Sequence, residues 1–173
     1  MTTMNKFHWF WAWDDEKEES WLREMSQNGW HFQSVTFPSI YCFKQGKPQD
    51  YVYRLDYFTN RKEMDSYLQI FRDAGWDYLG KMNRWQYFRQ IAVTGENQEI
   101  YTDNQSKQKK YQRIMLYLAI FLPIFLNSII TVNRGASSGL IQVMGFLMGL
   151  LLLLYVYGMV RLLHRILQLR KII

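Results

Sequence analysis

The chain of 173 residues has one cysteine, three histidines, three prolines and, beyond Asp103, no acidic residue at all. A single cysteine, Cys42, excludes an intrachain disulfide and fits a reducing compartment. His8, His31 and His164 have no cysteine or acid at ligand spacing, so no metal site is expected. Gly29, Gly46, Gly75 and Gly80 are isolated from one another, which leaves no glycine-rich phosphate loop. No nucleophile–base pair can be assembled from these residues, and neither an enzyme nor a bound cofactor is expected. The acidic run Asp14, Asp15, Glu16, Glu18 and Glu19 stands where a helix begins and is read as its response to the helix dipole.

The formal charge of +6 is unevenly spread. Residues 1–110 hold 15 basic and 15 acidic side chains, whereas the remainder holds six basic ones and no acid. The first part is therefore neutral and lacks the positive field that drives nucleic-acid binding, so no nucleic acid is expected as a partner.

What is present in the acid-free part is two long apolar runs. Ile114–Val132 has 19 residues and reaches about 28 Å as a helix, close to the hydrocarbon thickness of a bilayer. Leu140–Val160 has 21 residues. Lys107, Lys109, Lys110 and Arg113 precede the first run, and Arg161, Arg165, Arg170 and Lys171 follow the second. The connection 133–139 holds only Arg134. This bias predicts a two-pass anchor in the cell (inner) membrane with both termini cytosolic and a short external loop. Pro123 interrupts the first span, and Asn127, Ser128, Thr131 and Gln142 are expected to pair across the hairpin. Gly145 and Gly149 form a small-xxx-small step, a candidate helix–helix contact. The tail 161–173 alternates basic and apolar residues and is expected to lie along the inner leaflet.

The first part repeats itself. Ser20–Val35 aligns with Ser66–Lys81 at an offset of 46, with Ser20/Ser66, Leu22/Leu68, Gly29/Gly75 and Trp30/Trp76 identical. Each copy reads as strand, helix, strand, strand. The first strands are Phe7–Trp13 and Tyr51–Phe58, both alternating. The short apolar run Phe7–Trp13 is not read as a signal peptide. Asp15 with Glu18, and Asn60 with Glu63, are expected to cap the helices, and Gly29 and Gly75 to close them. Thr102 with Gln105 suggests a further cap on a juxtamembrane helix. The expected organisation is an α+β cytosolic domain over 1–93, with repeats at about 6–46 and 50–92. A linker and juxtamembrane helix follow over 94–113, then a transmembrane helix over 114–132, an external loop over 133–139, a second transmembrane helix over 140–160 and the tail. The simplest packing of the duplicated β-α-β-β unit is one antiparallel sheet with two helices on one face, followed by the two-helix transmembrane hairpin.

All seven tryptophans lie between residues 9 and 85. Alternation on the expected strands puts Trp9, Trp11 and Trp13 on one face and gives Tyr53 a face opposite Arg54 and Asp56. This much aromatic area has three outlets: a large core, a patch for a protein partner or a second copy of the chain, or a cleft for a small apolar ligand. Trp9, Trp11, Trp13 and Tyr53 are the candidate surface, with Arg54 and Asp56 as its polar end. The plainer reading of those two is a cross-strand ion pair.

The stretches FHWFWAWDDEKEESWLREMSQNGWHF, YVYRLDY, AGWDYLG and IYTDNQSKQKKYQR resemble the bacterial membrane-protein family known as domain of unknown function 2812 over about residues 6–113. The resemblance implies a cytosolic domain followed by membrane helices. Its members often lie beside genes for PadR-type transcriptional repressors, which implies a regulatory or stress-related role. It supplies no reaction and no catalytic residues. The doubled strand-helix-strand-strand order is also similar to the GyrI-like effector-binding fold, whose members hold drug-like molecules in an aromatic cleft, although topology alone does not fix function. The expected function is a membrane-anchored sensor or interaction module that binds a partner protein or an apolar ligand. The competing expectation is an accessory subunit of a membrane transporter complex. The expected partners are thus the lipid bilayer together with a protein, a homodimer mate or a small apolar ligand.

Overall fold

The computed structural model describes residues 2–95, 98, 100, 104–134 and 139–170. The chain divides into two compact units, Met1–Thr102 and Asp103–Ile173.

The first unit is α+β. Strand β1 (Thr3–Phe7) leads to helix α1 (Asp15–Gln27), then to β2 (Trp30–Thr36) and β3 (Ile40–Gln45). The second round runs through β4 (Tyr51–Tyr57), a 3-10 turn (Arg61–Glu63) into α2 (Met64–Asp73), β5 (Asp77–Met82) and β6 (Trp85–Ile91). Each round folds its strands in the same antiparallel order, β1-β3-β2 and β4-β6-β5. The register shifts at corresponding places, Gln33 in β2 and Leu79 in β5, which lie 46 residues apart. Gly29 and Gly75 follow the two helices with φ of 81° and 80°, the left-handed conformation that a Cβ disfavours.

Four sequence expectations for this unit need correction. The expected single sheet is two three-stranded sheets. β2 runs near β5 without a shared ladder among the described residues. The outer edge of β4 is met by α1: the Leu55 N–H donates to Glu19 Oε1 at 2.8 Å. A strand edge whose donor is met by a helix side chain is closed to further pairing.

The helices do not share a face. Leu22 and Met25 of α1 sit in a core with Phe32, Tyr41, Phe43, Tyr53, Leu55 and Tyr87. Phe71 of α2 packs with Val52, Trp76 and Phe88. Alternation along β4 and β6 puts Val52 and Phe88 opposite Tyr53, Leu55 and Tyr87, so α1 and α2 flank the second sheet on opposite sides. Bulky apolar residues on both faces of β4 require this double cover.

The first strand is Thr3–Phe7, not Phe7–Trp13. After His8, whose N–H reaches the Ser39 carbonyl at 3.2 Å, the aromatic run leaves the ladder. Trp11 and Trp13 stack at 5.3 Å, and the Asp14 N–H turns back onto the Trp11 carbonyl at 2.9 Å. Mutual packing of the rings overrides their strand preference. Finally, Asp14 rather than Asp15 precedes α1, and its side chain makes no capping bond. Asn60 does accept the Lys62 N–H, at 3.1 Å.

The second unit is a helical hairpin, α3 (Asn104–Arg134) and α4 (Gly139–Arg170). Both contain stretches long and apolar enough to cross a membrane, Gln108–Val132 and Gly139–Leu169, of which only 6% of the most apolar window is buried. Leu116, Ile120, Ile124, Phe146 and Leu153 are open along them. A soluble core would bury such residues, so the hairpin points to membrane association. The polar residues of the first span do not all pair across the hairpin as expected. Ser128 and Thr131 instead donate to the carbonyls of Ile124 and Asn127 in their own helix, each at 2.9 Å. Tyr155 makes a bond across the hairpin, its hydroxyl donating to the Leu118 carbonyl near Pro123. Gln142 is exposed. Gly145 is buried, whereas a methyl added at Gly149 would meet nothing within 4 Å. The expected tail is not a separate element, because α4 runs unbroken to Arg170. Most of the expected external loop and the expected cap at Thr102 lie outside the described residues.

Candidate functional site

One end of the first unit carries a cleft of about 200 Å³. Its walls come from three loops. The aromatic segment before α1 supplies Trp9, Phe10 and Trp11, the β2–β3 turn supplies Phe37, Pro38 and Ser39, and the β5–β6 hairpin supplies Met82, Asn83 and Trp85. The two turns are counterparts in the two repeats. Each contains a non-glycine residue at positive φ, Ser39 at 130° and Asn83 at 57°. Asparagine tolerates this region, but serine at such a φ is a strained turn residue, and here it stands on the cleft wall.

The floor is polar and anionic. α1 contributes Asp15 and Glu18, which are 2% and 6% exposed, β3 contributes Tyr41 and β6 contributes Tyr87. The hydroxyls of Tyr41 and Tyr87 both donate to Glu18 Oε1, each at 2.7 Å. No hydrogen bond to Glu18 Oε2 is formed among the described residues. Burial pushes the Glu18 carboxyl up to about 7; the two hydroxyl bonds oppose that rise and the nearby Asp15 charge adds to it. Burial also raises both tyrosines, and the Glu18 charge raises them further. The cleft thus combines an aromatic wall with a carboxyl poised between its charged and neutral forms.

The sequence candidates fall into two groups. Trp9 and Trp11 line the cleft, and Trp13 stacks on Trp11 beside it. Tyr53 is buried in the core with α1. Arg54 faces Glu19 at 3.4 Å, and Asp56 accepts the Tyr67 hydroxyl at 2.8 Å. Neither Arg54 nor Asp56 is among the residues lining the cleft. Sequence reasoning missed Asp15, Glu18, Tyr41 and Tyr87. A signal for the acids existed: residues 15, 18, 22 and 25 share a helical face, so the two carboxylates continue the apolar stripe of Leu22 and Met25. An acid on the buried stripe cannot be explained by the helix dipole alone.

Among the described residues no group of three or more His, Cys, Asp or Glu side chains could hold a metal ion. Residues 14–122 match the model of a family described as a protein of unknown function, DUF2812. No curated protein and no solved structure matches the chain.

Proposed function

As the chain belongs to the DUF2812 family, whose description assigns no activity, we propose a function from the cleft itself: the protein is a membrane-anchored sensor that takes up a small apolar, aromatic ligand between its two repeats. The carrying observation is the wall of Trp9, Trp11 and Trp85 around a concave space of about 200 Å³. Such a wall favours flat, apolar molecules through burial and ring stacking, and few polar groups interrupt it. Trp9 and Trp11 are 49% and 39% exposed, a cost in water that an occupant would relieve.

In this reading the hairpin of α3 and α4 holds the sensor at the bacterial inner membrane, with the cleft and both termini in the cytosol, and binding is regulatory rather than catalytic. The flanking lysines and arginines support that orientation. The test is a thermal-shift and tryptophan-fluorescence screen of the full chain in lipid nanodiscs against small aromatic compounds. At least one should stabilise the chain, and Trp85→Ala should abolish its effect. If no compound shifts the transition, the reading gives way to an accessory subunit of a membrane transporter complex, with the hairpin as the working surface.

A further inference from the structure

We propose, resting on the cleft reading above, that the ligand is a small aromatic organic cation whose positive charge is held against Glu18 beneath the tryptophans. Three observations converge on this. First, the floor carries the buried carboxyl of Glu18, and no lysine, arginine or histidine is among the described residues lining the cleft. A carboxylate out of water is costly unless it meets a positive charge, and the hydrogen-bond partners of Glu18 are two neutral hydroxyls. An incoming cation supplies what the cleft lacks. An anion would be repelled, and a neutral ring would leave the carboxylate uncompensated.

Second, the walls are rich in indole and phenyl rings, whose negative faces attract ammonium groups most strongly where water is excluded. Third, the fold does not need these acids. At the offset of 46, Asp15 and Glu18 correspond to Arg61 and Met64, so the second copy builds the same sheet without them. The acids belong to the cleft rather than to the β-α-β-β scaffold.

Arrival of a cation favours ionised Glu18, so binding releases a proton wherever the empty site is protonated. The titratable groups lining the cleft with Glu18 are Asp15 on its own helix, Tyr41 on β3 and Tyr87 on β6; Arg84 of the β5–β6 turn is not among the lining residues. With the empty carboxyl at about 7, affinity for the cation should rise about tenfold between roughly pH 6 and pH 8, following the ionised fraction.

The test is calorimetric titration of the full chain in lipid nanodiscs with benzyltrimethylammonium and with its uncharged carbon isostere, neopentylbenzene. The wild type should bind the cation about tenfold more tightly or better, with proton release at the lower pH. Glu18→Gln should erase that preference and leave the isostere unchanged. Should Glu18→Gln fail to fold, the wild-type pH profile decides: a rise for the cation alone supports the inference, and a flat profile overturns it. Equal binding of both compounds, unaffected by Glu18→Gln, overturns the cation inference and leaves the apolar cleft standing. Binding of neither removes the cleft reading and this inference together.

Discussion

Tyr87 lies 69 residues from Glu18 in sequence, on the second sheet, and its hydroxyl donates to the Glu18 carboxylate of α1 at 2.7 Å. Tyr41, from the first sheet, reaches the same oxygen. Glu18 therefore joins both repeats at the floor of the cleft, and what disturbs its charge is felt by both.

The pH dependence of stability follows from that position. The Glu18 carboxyl stands at about 7 in the folded chain against 4.5 when free. Between these values the folded chain keeps a proton that the unfolded chain has lost, so stability falls as pH rises through the window, by roughly 3 kcal/mol in total. Above about 7 the loss is complete. Glu18→Gln has no such proton, so its urea midpoint should gain on the wild type from about pH 5 to about pH 8. Parallel profiles would show that Glu18 ionises as freely folded as unfolded.

Glu19 is the second anchor of α1. It accepts the Leu55 N–H at 2.8 Å and faces Arg54 Nη1 at 3.4 Å. Removing the acceptor with Glu19→Ala should cost about 1–3 kcal/mol, since a buried strand donor then loses this bond. Glu19→Gln keeps an acceptor of the same shape and should cost less. Chemical denaturation of the two variants checks the order, and equal losses would put the stabilisation in the charge rather than in the closed strand edge.

The paired helix-ending glycines should differ in tolerance. Both have positive φ, but a methyl at Gly29 would stand 2.8 Å from the Gly46 carbonyl oxygen, which is backbone. At Gly75 the contact is the Gln90 side-chain amide nitrogen at 2.8 Å, which can move away. Gly29→Ala should therefore lose about 2 kcal/mol or more and Gly75→Ala about 1 kcal/mol, the left-handed penalty alone. Thermal denaturation of both variants measures the gap, and a larger loss at Gly75 contradicts it.

The proposed orientation is open to a direct test in intact cells. A cysteine at position 137, in a Cys42→Ser background, should react with an impermeant thiol reagent, while native Cys42 in the wild type should not. Labelling of Cys42 alone would place the cleft on the opposite side of the membrane.

Much of the architecture was legible because it rests on local rules. Gly29 and Gly75 marked the helix ends, the offset of 46 marked the duplication, and the acid-free apolar runs marked the hairpin. The first strand was misplaced because alternating aromatics satisfy the strand pattern equally well whether they join a ladder or stack on one another. Trp11 and Trp13 do the latter. The site was half legible. The tryptophans announced themselves, whereas Glu18 was absorbed into an acidic helix start, although its spacing to Leu22 and Met25 put it on the buried face.

The order of residues by itself determined most of the helix and strand segments after the aromatic run, that the unit is doubled, and that the last part of the chain is apolar enough for a bilayer, since each depends on neighbours a few positions apart. Only the tertiary structure decided that the strands part into two sheets, that the helices take opposite sides of the second, and that Tyr41 and Tyr87 meet over one carboxylate. Those outcomes depend on burial and contact between residues far apart in the chain, where no local pattern specifies the partner.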